Sequence, residues 1–268
     1  VTLRAKIAAG RAARLAAMPT RAATVARHDA QVLADSVRWL ALSREHTNFT
    51  YDLEPRNVEH LAWFIAAIAG EPVDVIRRYI AELEADGALR EHLEREAAAS
   101  PRRGLTDRRV GYGRRAGWYA LARSLRPERI VETGTDKGLG ACVLAAAVLR
   151  NGRGRVMTID TNDASGSLLG GAYAAVADLL IGDSVALLPM VGSVDLFIHD
   201  SLHTAEHEAA ELEALSLTAD AVALSDNAHV TNALAAWAER TGRRFLYFQE
   251  RPRRHWYPGA GIGAAWRG

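Results

Sequence analysis

The stretch Arg129-Ile-Val-Glu132-Thr-Gly134-Thr-Asp-Lys-Gly138-Leu-Gly140 decides the fold. Residues 129–132 are a short run with β-branched centres that suits a buried strand. The run stops at an acid and enters a loop with three glycines, where backbone can turn sharply or approach a ligand closely. Residues 141–149 are apolar throughout and read as a helix. Downstream the alternation continues. Residues 155–159 read as a strand ending at Asp160, 170–180 as a helix, 185–188 as a short strand, and 194–198 as a strand ending at Asp200. Residues 205–215 read as a helix, 221–224 as a strand ending at Asp226, and 231–241 as a helix. Residues 245–248 and 261–265 are expected to close the chain as an antiparallel pair. Strands alternating with helices of about ten residues predict an α/β fold with a mostly parallel sheet covered on both faces.

Upstream the rhythm is helical. Val32, Leu33, Val37 and Leu40 recur at helical spacing in residues 29–42. Residues 57–69, entered through Pro55, predict a second helix. Residues 72–86 predict a third, with Pro72 in its first turn, Gly87 just past its end, and Val73, Ile76, Ile80 and Leu83 as its stripe. Ser100-Pro-Arg-Arg-Gly104 reads as a joint, so residues 1–105 are expected as an all-helical region and 106–268 as the α/β domain. With 49% apolar and 24% charged residues, the 268-residue chain has a globular composition. Its 33 basic and 32 acidic residues leave a net charge of +1, which argues against a nucleic-acid binder. The apolar runs at 61–69 and 141–149 are too short to cross a bilayer, and no secretory leader is apparent. A cytoplasmic protein with neither nucleic acid nor membrane as partner is therefore expected, and the long helical start is compatible with a homodimer. The single cysteine, Cys142, excludes an intrachain disulfide and is expected to be buried.

Ligands of open α/β sheets bind beyond the carboxyl ends of the strands. The sequence places Glu132 and Gly134 there, then Asp160, Asp200, and Asp226 with Asn227. Acids gathered at one edge repel unless cations or donors neutralise them, so a ligand site is expected at this edge. Read as Thr-Gly-x-x-x-Gly-x-Gly, the loop fits the nucleotide loop of short-chain dehydrogenases. That chemistry needs a Tyr-x-x-x-Lys pair, and no lysine follows Lys137, which argues against an NAD(P) reductase.

Read as Glu-x-Gly-x-x-x-Gly-x-Gly, the loop resembles motif I of class I S-adenosylmethionine-dependent methyltransferases, over about residues 115–268. The resemblance implies a Rossmann-like domain, with the helical N-terminal region as a lid. It implies S-adenosylmethionine held by Glu132, Gly134, Thr135 and Gly138, by Asp160 on the ribose, by Asp183 near the adenine, and by Asp200. The segment from Val194 through Asp200 to His203 is similar to a strand-Asp-x-x-His signature of the small-molecule branch, antibiotic-tailoring enzymes included. Enzymes of the catechol O-methyltransferase type hold magnesium with an Asp after one strand and an Asp-Asn pair after the next. Asp200, Asp226 and Asn227 stand in those places, so Mg²⁺ or a similar divalent ion is an expected cofactor. His203 replaces that branch's lysine base, and an imidazole suits proton removal at neutral pH. Lids in this superfamily meet the substrate, which nominates Asn48, Tyr51 and Asp52, with His229, Trp256 and Tyr257 as further pocket residues.

The expected activity is methyl transfer to an oxygen or nitrogen of a small molecule, in natural-product biosynthesis by the antibiotic-tailoring likeness, with His203 and Asp200 as catalytic residues. Three rivals remain: another reaction of the same cofactor that releases methylthioadenosine, a non-catalytic partner of the same fold, and a zinc peptidase. The last rests on His203-Thr-Ala-Glu206-His207, which fits the inverted His-x-x-Glu-His motif. The blander expectation makes His207 a solvated helix residue among Glu206, Glu208, Glu211 and Glu213, and His199 a core histidine. Trp63, Phe64 and Trp118 lie on apolar faces and are expected in the core.

Overall fold

A computed structural model describes residues 3–268. Its contacts form two compact units: the chain up to Ser43 together with Arg254–Tyr257, and Arg44–Arg253 together with Pro258–Gly268. The first unit is helix α1, Leu3–Leu42, of 40 residues with Pro19 inside it. At 1.5 Å per residue it is about 60 Å long. Near its end the Trp39 ring meets Trp256 edge-on at 5.4 Å and His255 at 6.2 Å. Met18, Val25 and Val32 recur every seven residues along it, and they are exposed together with Leu33, Val37 and Leu40.

The second unit opens with helices α2 (Pro55–Ala69), α3 (Val73–Glu84), α4 (Gly87–Ala99) and α5 (Arg115–Leu125). Gly87 starts α4 and does not close α3, because the Asp86 side chain accepts the Leu89 amide (2.9 Å) and caps the new helix. The expected stripe of α3 is real at Ile76, Ile80 and Leu83, all buried. Phe64 and Trp118 are core, but Trp63 is 57% exposed, with its indole N–H on Glu59. Trp63 falls on the outer side of α2, whose buried face runs through Leu61, Phe64, Ile65 and Ile68.

The sheet follows: β1 (Arg129–Thr133), α6 (Leu139–Asn151), β2 (Arg155–Asp160), α7 (Gly171–Ala174), β3 (Ala177–Ile181), α8 (Ser184–Leu187), β4 (Val194–His199), α9 (Ala205–Ala214), β5 (Leu217–Ser225), α10 (Ala233–Arg240), β6 (Arg244–Gln249) and β7 (Gly261–Trp266). Its seven strands lie in the order β3-β2-β1-β4-β5-β7-β6. The first five in that order are parallel, and β7 runs antiparallel between β5 and β6, so the terminal pair is present. The helix expected at 170–180 shrinks to α7, and its second half becomes β3. The strand expected at 185–188 is part of helix α8 and the turn after it. The backbone of Ala177–Ile181 completes the ladder of β2, from Val156↔Ala177 to Asp160↔Ile181. The Asp183 side chain then accepts the Val185 amide (3.0 Å) and starts α8.

Strand alternation assigns the faces. Val131, Ile159 and Phe197 pack with Leu212 of α9 and with Leu234 and Trp237 of α10. Glu132 faces the other way: a Cβ on Gly140 of α6 would meet its Oε1 at 1.8 Å. Strand order reverses between β1 and β4, and an open α/β sheet presents its crevice at that point. The Asp200 amide donates to the Thr133 carbonyl (2.8 Å), which brings the loops after β1 and β4 together.

Candidate functional site

The loop after β1 is held from below. The Thr158 hydroxyl donates to Glu132 Oε2 (2.7 Å), and the Thr135 hydroxyl meets that of Thr158 (2.7 Å). Glu132 is buried, and burial pushes its carboxyl up to about 7. It therefore fixes the loop through two threonines. Gly134 takes φ +89°, and a Cβ there would lie 1.9 Å from the Asp200 carbonyl oxygen. Gly138 takes φ +92° and opens α6. Lys137 is buried, with its ammonium 3.3 Å from Glu45 Oε1. Glu45 also accepts the amide and hydroxyl of Thr50 (2.9 and 3.0 Å). This buried pair ties the segment before α2 to the glycine loop, a link the sequence did not announce.

Asp160, at the end of β2, is partly exposed. One of its oxygens accepts the Asp136 amide and the other the Asn162 amide, each at 2.9 Å. Each carboxylate oxygen keeps a second lone pair. Residues beyond it cover the loop, with the Gly166 and Leu168 amides on the Asp136 and Lys137 carbonyls. Asp183 is exposed beyond β3.

The densest charge lies beyond β4 and β5. Asp200, His203 and Asp226 each offer one ligand atom within 4.8 Å of the others. His203 Nε2 is 3.8 Å from Asp200 Oδ1, and its ring stands edge-on to His199 at 5.5 Å. Burial lowers the pKa of His203 below its ordinary 6.5 and raises that of Asp200 and Asp226. Asn227 follows with φ +54°, its carbonyl accepting the Val230 amide (2.8 Å), while His229 is exposed.

Two arginines unmarked in the sequence complete this group. Buried Arg114 pairs through Nε and Nη2 with both oxygens of Asp226. Its Nη1 lies 3.6 Å from Glu250 Oε2 and its Nη2 3.7 Å from Asp200 Oδ1, while its amide donates to Glu250 Oε1 (3.0 Å). Arg115 Nη2 lies 3.6 Å from Asp200 Oδ2, and both guanidiniums rest against Trp118. Tyr51 is buried, and its hydroxyl donates to Glu250 Oε2 (3.0 Å). Asn48 is exposed at φ +53°, and Asp52 is 3.4 Å from Arg109. Trp256 and Tyr257 belong to the unit of α1, where their rings lie 6.1 Å apart.

Behind the site, Glu211 of α9 is buried and gathers donors. The hydroxyls of Thr133 and Ser201 reach it at 2.8 Å, His199 Nδ1 at 2.7 Å and His207 Nε2 at 3.0 Å, together with the Ser184 hydroxyl. These donors hold its carboxyl down at about 2 despite burial, which pushes the other way. The expectation of a solvated α9 face is thus corrected: Glu208 and Glu211 are buried and His207 is half-buried, because α9 packs this side on the sheet. The zinc motif does not assemble: among the described residues the metal-capable group includes His203 but not His207.

Residues 131–241 match the family described as a methyltransferase domain. The matched residues run from β1 to the end of α10. No curated protein matches the chain in sequence. Solved structures share the fold of the domain. An O-methyltransferase from Streptomyces achromogenes involved in tomaymycin synthesis, in complex with SAM, is 22% identical. It covers 66% of this chain and 90% of its own, with a TM-score of 0.53. An O-methyltransferase from Bacillus cereus in complex with SAH is 17% identical, covering 68% and 91%, at a TM-score of 0.50. A putative O-methyltransferase from Klebsiella pneumoniae is 17% identical, covering 69% and 91%, also at 0.50. The matched residues contain the acids at the ends of β1, β2, β4 and β5 and the glycine loop. Arg114, Arg115 and Glu250 lie outside them.

Proposed function

We propose that the chain methylates an oxygen of a small molecule, with His203 taking the acceptor's proton. The observation that carries this reading is the position of His203: partly exposed, beside Asp200, at the reversal of strand order next to the glycine loop. The O-methyltransferases of the same fold support oxygen as the acceptor, and the tomaymycin relative supports a natural-product substrate. Among the described residues no helix is long and apolar enough to cross a membrane.

The residues present fit S-adenosylmethionine. Asp160 keeps acceptor capacity for vicinal hydroxyls, Asp183 stands exposed one strand further out, and Gly134, lacking a side chain, lets the loop pass close against Asp200 at φ +89°. When bound, that cofactor supplies an electrophilic methyl carbon on a sulfonium. The protein's part is to align the acceptor, exclude water and hold a proton. Burial keeps His203 neutral at physiological pH, ready to accept a proton, and Asp200 beside it stabilises the imidazolium that results. Residues 45–53 are tied to the glycine loop through Glu45 and Lys137, and Asn48 and His229 are exposed, so both are offered to the acceptor.

The same residues do not fit a resident magnesium ion. The carboxylate pair offered to it already carries the Arg114 guanidinium, and an imidazole stands among the ligand atoms in reach, whereas Mg²⁺ favours oxygen ligands and waters.

The test is incubation with S-adenosylmethionine and a panel of phenols and hydroxy acids, followed by product analysis. S-adenosylhomocysteine is expected, and His203→Ala should lower its rate by about 10²–10⁴-fold while cofactor affinity stays. Methylthioadenosine as product would overturn methyl transfer, and full activity of the variant would overturn the role of His203.

A further inference from the structure

We propose that Arg114 is an internal substitute for a divalent cation, so that the carboxylates beyond β4 and β5 are neutralised by the chain itself and the centre is metal-independent. The inference rests on the reading of this edge as the catalytic one, and it adds a positioning residue to it. Three carboxylates, Asp200, Asp226 and Glu250, converge where two guanidiniums, Arg114 and Arg115, meet them. Arg114 Nη2 donates to Asp226 Oδ2 and its Nε lies against Oδ1, so the guanidinium sits directly on that carboxylate. Its amide and Nη1 engage Glu250, and Tyr51 closes the other side of Glu250. The guanidinium is therefore held by carboxylates from just past β5 and just past β6, the latter fixed in turn by Tyr51. It has no solvated alternative: Arg114 is 7% exposed.

A divalent ion between Asp200 and Asp226 would have to share the space with this cation or expel it. At about 4 Å and an effective dielectric near 20, a neighbouring guanidinium weakens such binding by more than about a hundredfold. Expelling it would leave a buried charge without partners, which is also costly. The arrangement thus orients Asp200 and Asp226 as a bound metal would, with the positive charge covalently supplied.

The experiment is a Mn²⁺ titration of the whole chain, with free ion followed by electron paramagnetic resonance. Wild type is expected to take up no stoichiometric Mn²⁺. Arg114→Gln, which keeps length and polarity but not charge, is expected to bind one equivalent at least about a hundredfold more tightly. Adding Asp226→Asn to it should abolish that site. One equivalent bound by wild type and lost in Asp226→Asn alone would overturn the proposal. A folded Arg114→Gln, judged by circular dichroism, that gains no ion would overturn it as well. If Arg114→Gln does not fold, the wild-type titration still decides. S-adenosylmethionine binding, measured by calorimetry on the same wild-type sample, tests the methyltransferase reading separately.

Discussion

Replacing Gly134 by alanine tests the junction on which the site is built. Gly152 is the internal control, because it also sits at positive φ (+66°) with nothing within 4 Å of a built Cβ. Gly152→Ala should meet only the backbone penalty of the left-handed region, about 1–2 kcal/mol, partly offset by a stiffer unfolded chain. Gly134→Ala meets the same penalty at φ +89°. In addition its Cβ would fall 1.9 Å from the Asp200 carbonyl oxygen and 2.4 Å from its carbon. Those atoms are main chain, and the Asp200 amide is already bound to Thr133, so relief requires parting β1 from β4. An overlap of this kind adds about 1–3 kcal/mol. The expected totals are about 1 kcal/mol for Gly152→Ala and about 2–4 kcal/mol for Gly134→Ala. At roughly 2–4 °C per kcal/mol for a unit of this size, the melting points should fall by a few degrees and by about 5–15 °C. Differential scanning calorimetry measures both, and titration with S-adenosylmethionine should show affinity lost in Gly134→Ala alone. Equal melting points and equal affinities would refute the claim that this junction positions the site.

Three further outcomes follow from the geometry. Because burial holds the His203 pKa below 6.5, the acid limb of turnover should lie below pH 6.5, and a limb above it would remove His203 as the base. Glu211 has its carboxyl held at about 2, against an ordinary 4.5, so its contribution to stability is full above pH 4.5 and is lost as pH falls toward 2. The shift corresponds to about 3 kcal/mol; urea unfolding of Glu211→Gln should lack most of that acid-linked loss, and an unchanged pH slope would count against the network. Finally, the seven-residue recurrence of exposed apolar residues on α1 suits a paired helix, so the chain should sediment as a dimer and Leu33→Glu/Leu40→Glu as a monomer. A wild-type monomer would dismiss α1 as an interface.

Most of the sheet was legible because its strands are apolar runs that end at an acid or glycine, and the loop after β1 carries a pattern that few folds use. The same rule failed at β3. Its run of Ala, Asp, Leu, Leu and Ile lies in an edge strand that buries only Ala177 fully, and its pattern suits a helix as well as a strand. Only the ladder with β2 decides between them. At the site, Asp200, His203 and Asp226 were legible because strand ends gather at one edge of such a sheet. Arg114 was not: the chain is rich in arginine, and nothing local distinguishes a buried guanidinium from a solvated one. Its partners, Asp226 and Glu250, lie more than a hundred residues downstream. Glu211 was hidden for a related reason, since a helix bearing Glu206, Glu208, Glu211 and Glu213 looks solvated until its packed side is known.

The placement of β7 between β5 and β6 has a consequence for synthesis. Until Gly261–Trp266 leave the ribosome, β5 has a raw hydrogen-bonding rim and β6 has nothing to pair with. Glu250 and Ala228 take their main-chain partners, Ala260 and Gly261, at the start of this later strand. The nascent polypeptide must therefore wait with its chemistry unassembled and an adhesive strand uncovered, the interval in which a chaperone would matter most.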